Sequence, residues 1–190
     1  VDTTALLHDA LILGIQDYFQ KNGFKTATLG LSGGIDSAVV VALAAEALGS
    51  ENIRVLLLPS EYSTSHSITD AEGLAQNLSI QYDIVPIKDI YNTALKSLSP
   101  LFGDMPFSVA EENLQARIRG LLLMAVSNKF GNILLNTSNK SEVAVGYGTL
   151  YGDTNGSISE LGDVYKTDVF NLARYINREH EIIPINTIIK

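Results

Sequence analysis

Apolar positions along the chain follow two different spacings. Over residues 3–21, Leu6, Leu7, Ala10, Leu11, Gly14, Ile15, Tyr18 and Phe19 recur at helical intervals. That pattern predicts an amphipathic helix, stopped by Asn22-Gly23. Short aliphatic and β-branched runs come next: Thr26-Ala27-Thr28-Leu29, Ile53-Arg54-Val55-Leu56-Leu57-Leu58 ahead of Pro59, Tyr82-Asp83-Ile84-Val85-Pro86-Ile87, and Asn132-Ile133-Leu134-Leu135-Asn136. They predict four strands, with Pro86 marking an end or an edge. Helices are expected between them. Residues 37–45 are almost wholly apolar and read as a buried helix ending near Gly49. Thr69-x-x-Glu72 has the form of a capping box opening a helix to about Leu78. Residues 88–98 read as helical, and 99–107, with Pro100, Gly103 and Pro106, as loop. Ser108-x-x-Glu111 is a second capping box, opening a long helix to about Phe130 with Gly131 behind it. Residues 137–163 are polar and glycine-rich around a short helix near 141–146, and 165–178 predict the last helix.

Strands alternating with helices predict one α/β domain over residues 1–190: a three-layer, doubly wound parallel sheet with helices on both faces. No repeat or linker divides it. Ligands of such sheets sit beyond the C-terminal strand ends, near the switch in strand order. Residues 32–36, 60–66 and 137–142 all follow strand ends, so they are expected to converge on one crevice.

The first of these segments is Gly30-Leu31-Ser32-Gly33-Gly34-Ile35-Asp36-Ser37. A strand, a Gly-Gly turn and a helix N-terminus make an anion cradle, because glycine admits close approach and first-turn N–H groups point at the ligand. No Lys-Ser/Thr follows the glycines, and the dinucleotide G-x-G-x-x-G spacing is absent. Asp36 would repel a bound polyphosphate unless it holds Mg²⁺, which prefers one or two carboxylates plus phosphate oxygens. The other reading makes Asp36 a helix cap. The string Ser32-Gly33-Gly34-Ile35-Asp36-Ser37 resembles the pyrophosphate loop of the ATP pyrophosphatases.

Composition narrows the class. The chain is 46% apolar and 18% charged, with no Cys, so it has no disulfide, thiolate nucleophile or Cys metal site. That suits the cytoplasm. The longest purely apolar run, residues 38–45, is far short of the ~20 residues of a membrane span. No secretion signal opens the chain. A net charge of −8 argues against nucleic acid as the main partner. His8, His66 and His180 are scattered and read as surface or capping residues.

Four further residues carry chemistry. Glu142, at the start of the short helix, reads equally as a metal ligand or as a partner of the helix dipole. Lys166 reads as a solvated lysine on its own. Arg117 and Arg119 lack acidic residues four positions away, so each either clamps an anion or pairs across the fold. Asn113 shares the face of Arg117, whereas Leu114, Ile118, Leu121, Leu122 and Met124 read as core.

Five motifs occur in the order seen in NAD synthetases: residues 32–37, Asn113-Leu114-Gln115-Ala116-Arg117-Ile118-Arg119, Asn136-Thr137-Ser138-Asn139-Lys140-Ser141-Glu142, Thr149-Leu150-Tyr151-Gly152-Asp153 and Gly162-Asp163-Val164-Tyr165-Lys166-Thr167. The resemblance covers nearly the whole chain. It implies a fold of the ATP pyrophosphatase type and the amidation of deamido-NAD to NAD by way of an adenylate. It implies that residues 30–37 hold the ATP phosphates with Mg²⁺ on Asp36. It implies that Thr137, Lys166, Ser60 and Tyr62 contact ATP, that Glu142 meets metal or substrate, and that Asn113, Arg117 and Asp153 meet deamido-NAD. A GMP synthetase-like ligase and a non-catalytic nucleotide-binding module remain the alternatives. Ammonia-dependent members carry a Lys before Tyr-Gly-Asp and an Asp a few residues later; Leu150 and Ser157 stand there, as in the glutamine-dependent type. The resemblance therefore implies a piece of a longer protein, with an amidase domain before Val1, a tail after Lys190, and a homodimer with the deamido-NAD site near its interface.

Overall fold

The computed structural model describes residues 2–137, 158–159 and 166–189. The short helix expected near 141–146 lies outside them. In chain order the elements are α1 (Thr3–Asn22), β1 (Ala27–Gly30), α2 (Ile35–Leu48), a 3₁₀ turn (Ser50–Asn52), β2 (Ile53–Leu57), α3 (Ser65–Asn77), β3 (Gln81–Ile84), α4 (Lys88–Phe102), α5 (Val109–Phe130), β4 (Ile133–Asn136), β5 (Ile158–Ser159), α6 (Lys166–Ile176) and α7 (Ile185–Ile189). The sheet runs β3-β2-β1-β4-β5, with every pairing parallel.

Strand alternation builds two cores. On one face Ala27 and Leu29 of β1, with Val55 and Leu57 of β2, meet α2 and, beyond it, Ile15 and Phe19 of α1 and Val169 and Leu172 of α6. On the other, Leu56 and Leu58 pack with Ile87, Tyr91 of α4 and Ile118 of α5. Helix α2 is enclosed by sheet and helices, so its residues 37–45 are buried on every side. That enclosure explains an apolar run without a polar stripe. Each buried Val or Leu there contributes roughly 1.5–3 kcal/mol.

Several boundaries differ from expectation. Helix α3 starts at Ser65, because Thr64 Oγ1 accepts the Ser67 N–H at 3.1 Å and caps it. Thr69 and Glu72 are therefore not a capping box. The Thr69 hydroxyl donates to the Ser65 carbonyl, and Glu72 accepts from the Tyr82 hydroxyl at 2.8 Å. Helix α4 runs on through Pro100 to Phe102. Pro100 cannot donate to the Lys96 carbonyl one turn back, and the Ser99 hydroxyl does so instead at 2.9 Å. Strand β3 stops at Ile84, although Val85 N–H still bonds Leu57 O. Strand β5 was not foreseen: two residues pairing with Leu135 and Asn136 carry no periodicity. The Ser108–Glu111 capping box is present as expected.

Two side chains also depart from expectation. His8 is buried, 3% exposed, rather than at the surface. Its Nδ1 lies 2.9 Å from Asp9 Oδ1, its Nε2 lies 2.8 Å from Glu46 Oε2, and its ring lies 5.0 Å from that of Tyr175. Leu121 is 62% exposed, not core, because it faces away from β1 and β4. Among the described residues no helix is long and apolar enough to cross a membrane.

Candidate functional site

From β1 the chain moves outward to β2 and β3, then returns to lay β4 on the other side of β1. The switch point therefore lies between β1 and β4. Their pairing, Ala27 with Ile133 and Thr28 with Leu134, stops two residues short of Gly30, so the strand ends part and open a crevice. Thr26 and Asn132 anchor its closed end through an Oγ1–Oδ1 hydrogen bond of 2.6 Å. The crevice is a cleft of about 470 Å³. Its lining includes apolar Leu31, Leu56, Ile68, Ala71, Leu123 and Leu134. It also includes polar Ser32, Ser37, Ser63, Ser67, Arg119 and Thr137.

The loop between β1 and α2 is shaped by its own residues. Gly33 has φ +83°, and a Cβ there would sit 2.4 Å from the Ser67 carbonyl oxygen. Only glycine lets this turn lie against the start of α3. Gly30 faces α5, where a Cβ would meet the Leu123 side chain at 3.1 Å. Ser37, 5% exposed, braces the loop: its Oγ accepts the Ser32 N–H at 3.2 Å and donates to the Gly34 carbonyl at 3.2 Å. The Ser32 hydroxyl accepts the Gly34 N–H at 3.2 Å.

The N-cap of α2 is Gly34, and no side chain bonds the first turn. Asp36 is thus not the cap; it lies inside the first turn. The N–H groups of that turn have no intrahelical acceptors, and they bring the positive end of the helix to the cleft. Lys166, at the start of α6, donates from Nζ to Asp36 Oδ2 at 2.7 Å. The other oxygen, Asp36 Oδ1, is buried and has no hydrogen-bond partner among the described residues. A half-satisfied carboxylate beside an anion cradle fits a divalent cation.

The fold thus gathers Gly30, Leu31, Ser32, Gly33, Gly34, Ile35, Asp36, Ser37, Thr137 and Lys166 at one strand end. Ser60 and Tyr62 lie beside it. The Ser60 hydroxyl accepts the Tyr62 N–H within its own loop, and the Tyr62 side chain is 64% exposed. Asn113 and exposed Arg117 lie on α5 away from the cleft lining, whereas Ala116, Arg119, Gly120 and Leu123 form its wall. Glu142 and Asp153 lie outside the described residues, so the paired-carboxylate expectation rests on Asp36 alone here. Among the described residues no cluster of three or more His, Cys, Asp or Glu is disposed around a metal.

Sequence reasoning missed Ser63, Ser67 and Gly120 in the lining and left open whether Arg119 clamps an anion or pairs across the fold. The Arg119 Nε donates to the Leu58 carbonyl at 2.9 Å, which holds its guanidinium at the strand end. For Gly120, a glycine inside an otherwise regular helix was the available signal.

Fold and loop together define a doubly wound α/β domain with an uncapped helix end, a lysine and a carboxylate at its switch point. Within that class the chain belongs to the NAD synthase family, whose model matches residues 7–190. It is 57% identical over 190 residues to the glutamine-dependent NAD(+) synthetase of Synechocystis sp., covering all of this chain and 34% of that protein. Its structure matches the glutamine-dependent NAD+ synthetase of Acinetobacter baumannii, solved in complex with ADP, at TM-score 0.97 and 45% identity, over 99% of this chain and 36% of that one. It matches the NH3-dependent NAD synthetase of Campylobacter jejuni at TM-score 0.87 and 34% identity, over 98% and 77% of the two chains. The chain spans about a third of the length of the curated relative it matches.

Proposed function

We propose that the protein to which this chain belongs converts deamido-NAD to NAD, and that this domain performs the ATP-dependent amidation. The observation that carries the reading is the braced, uncapped loop at the switch point with Lys166 on Asp36, in a member of the NAD synthase family. The apolar side chains lining the cleft suit a purine ring, and the loop N–H groups and hydroxyls suit its phosphates. Ser60 and Tyr62 flank the nucleotide, with Thr137 just beyond the end of β4. Asp36 and Glu142 would hold Mg²⁺, which when bound would neutralise phosphate charge. Asn113, Arg117 and Asp153 receive deamido-NAD.

The chemistry then needs positioning more than a protein nucleophile. A nicotinate carboxylate oxygen attacks the α-phosphorus of ATP, the bond to the β-phosphate oxygen breaks, and pyrophosphate leaves against the loop amides and Lys166. Ammonia attacks the carbonyl carbon of the resulting adenylate, loses a proton, and AMP departs. A chain without Cys cannot supply a thiolate to release ammonia from glutamine. We assign that step to an amidase domain elsewhere in the full-length protein. Leu101, Met105, Phe107 and Val109, each at least 58% exposed around the α4–α5 connection, favour a homodimer that covers them. A cytoplasmic location suits the absence of Cys.

The test is pyrophosphate release by the full-length protein with ATP, ammonium chloride and either deamido-NAD or xanthosine monophosphate. Release with deamido-NAD alone is expected. Release with xanthosine monophosphate would assign a different ligase. No turnover with either, despite nucleotide binding, would leave a binding module.

A further inference from the structure

We infer that Lys166 is the resident cation of the Asp36 site, so that a divalent ion and the Lys166 ammonium compete for one carboxylate until a polyphosphate draws the lysine away. The inference rests on the metal and nucleotide reading above and adds an order of events to it. Lys166 Nζ stands 2.7 Å from Asp36 Oδ2, and the Asp36 side chain is only 17% exposed. Oδ1, the oxygen left over, is buried and unbonded. A metal on that carboxylate would stand a few ångströms from the ammonium, and two cations at that separation in a half-buried site repel strongly. The lysine has somewhere to go. Its side chain is 43% exposed, it occupies the first residue of α6, and its four-carbon stem reorients without disturbing the helix. A polyphosphate seated on the N–H groups at the start of α2 would offer it acceptor oxygens close by. Nor does the fold depend on the pair: α6 is held to α2 by buried Val169, Leu172, Ala173 and Ile176.

The experiment measures Mn²⁺ affinity by electron paramagnetic resonance, without turnover, for the wild type, Lys166→Gln, Lys166→Arg and Asp36→Asn. Without nucleotide, Lys166→Gln should bind Mn²⁺ about three- to tenfold more tightly than wild type, the scale of one partly buried ion pair. Lys166→Arg, which keeps the charge, should stay near wild type. With a non-hydrolysable ATP analogue the advantage of Lys166→Gln should disappear. Circular dichroism of each variant should match wild type. Unchanged or weaker Mn²⁺ binding by folded Lys166→Gln, with a site still lost in Asp36→Asn, would overturn the competition and leave the metal reading standing. Mn²⁺ binding indifferent to Asp36, with and without the analogue, would overturn both.

Discussion

Gly33→Ala tests how the loop is held. At φ +83° an alanine is strained, a cost of about 1–2 kcal/mol. The methyl would also lie 2.4 Å from the Ser67 carbonyl oxygen and 2.9 Å from its carbonyl carbon and Cα. All three are main-chain atoms of the first turn of α3, which Thr64 caps, so no side chain can swing aside. Overpacking of this kind costs a further ~1–3 kcal/mol. The sum is roughly 2–5 kcal/mol unless the loop moves, and moving it separates the cradle from α3. In a chain of 190 residues each kcal/mol lowers Tm by roughly 2–4 °C. The matched control is Gly23→Ala, with φ +69° but nothing within 4 Å of the added methyl, where only the conformational cost of about 1–2 kcal/mol applies. Thermal unfolding by circular dichroism and calorimetric titration with nucleotide should show Gly33→Ala melting well below Gly23→Ala and binding nucleotide at least about tenfold more weakly, a loss of about 1.4 kcal/mol. Equal melting temperatures and unchanged nucleotide affinity would refute the close-contact argument.

Asp36→Asn should abolish Mg²⁺-dependent ATP turnover with little change in melting temperature, since Gly34 and not Asp36 caps α2; near-normal turnover in a coupled pyrophosphate assay would remove the metal role. Arg117→Ala should weaken deamido-NAD binding by roughly ten- to a hundredfold, the scale of one charge-assisted contact, while ATP binding changes little. Calorimetry showing equal loss for both ligands would point to a structural pairing. Glu111 gives a pH signature: the Ser108 main-chain N–H, 2.8 Å from its carboxylate, holds its carboxyl below the usual value. A depressed value in the folded state means stability present above the ordinary carboxylate range and lost as pH falls through the folded value. Glu111→Ala should therefore lower Tm at pH 7 by more than at pH 4, and a pH-independent difference would contradict the cap.

Local order was legible because local rules produce it. The pattern of α1, the four strands and the apolar run of α2 follow from residue spacing alone, and Ser108 with Glu111 announced the start of α5. The loop at residues 30–37 was legible for the same reason: glycines, a hydroxyl and a carboxylate between strand and helix state their chemistry without distant partners. What stayed hidden depends on atoms far apart in the chain. The polar first turn of α3 has no periodicity to betray it, and β5 exists only through its pairing with β4. The loop string favoured a metal role for Asp36 over a helix cap, and only the backbone made Gly34 the cap. The ion pair of Asp36 with Lys166 spans 130 residues, and the close approach of Gly33 to Ser67 is made across the whole of α2 and β2. His8, polar by composition, is buried because α2 and α6 bring Glu46 and Tyr175 to its ring. Residue types and spacing state which groups are able to bind an anion. Only the order of strands, with β1 flanked by β2 and β4, decides which of them share one cleft, because that placement is set by packing of the whole sheet and not by any neighbour in sequence.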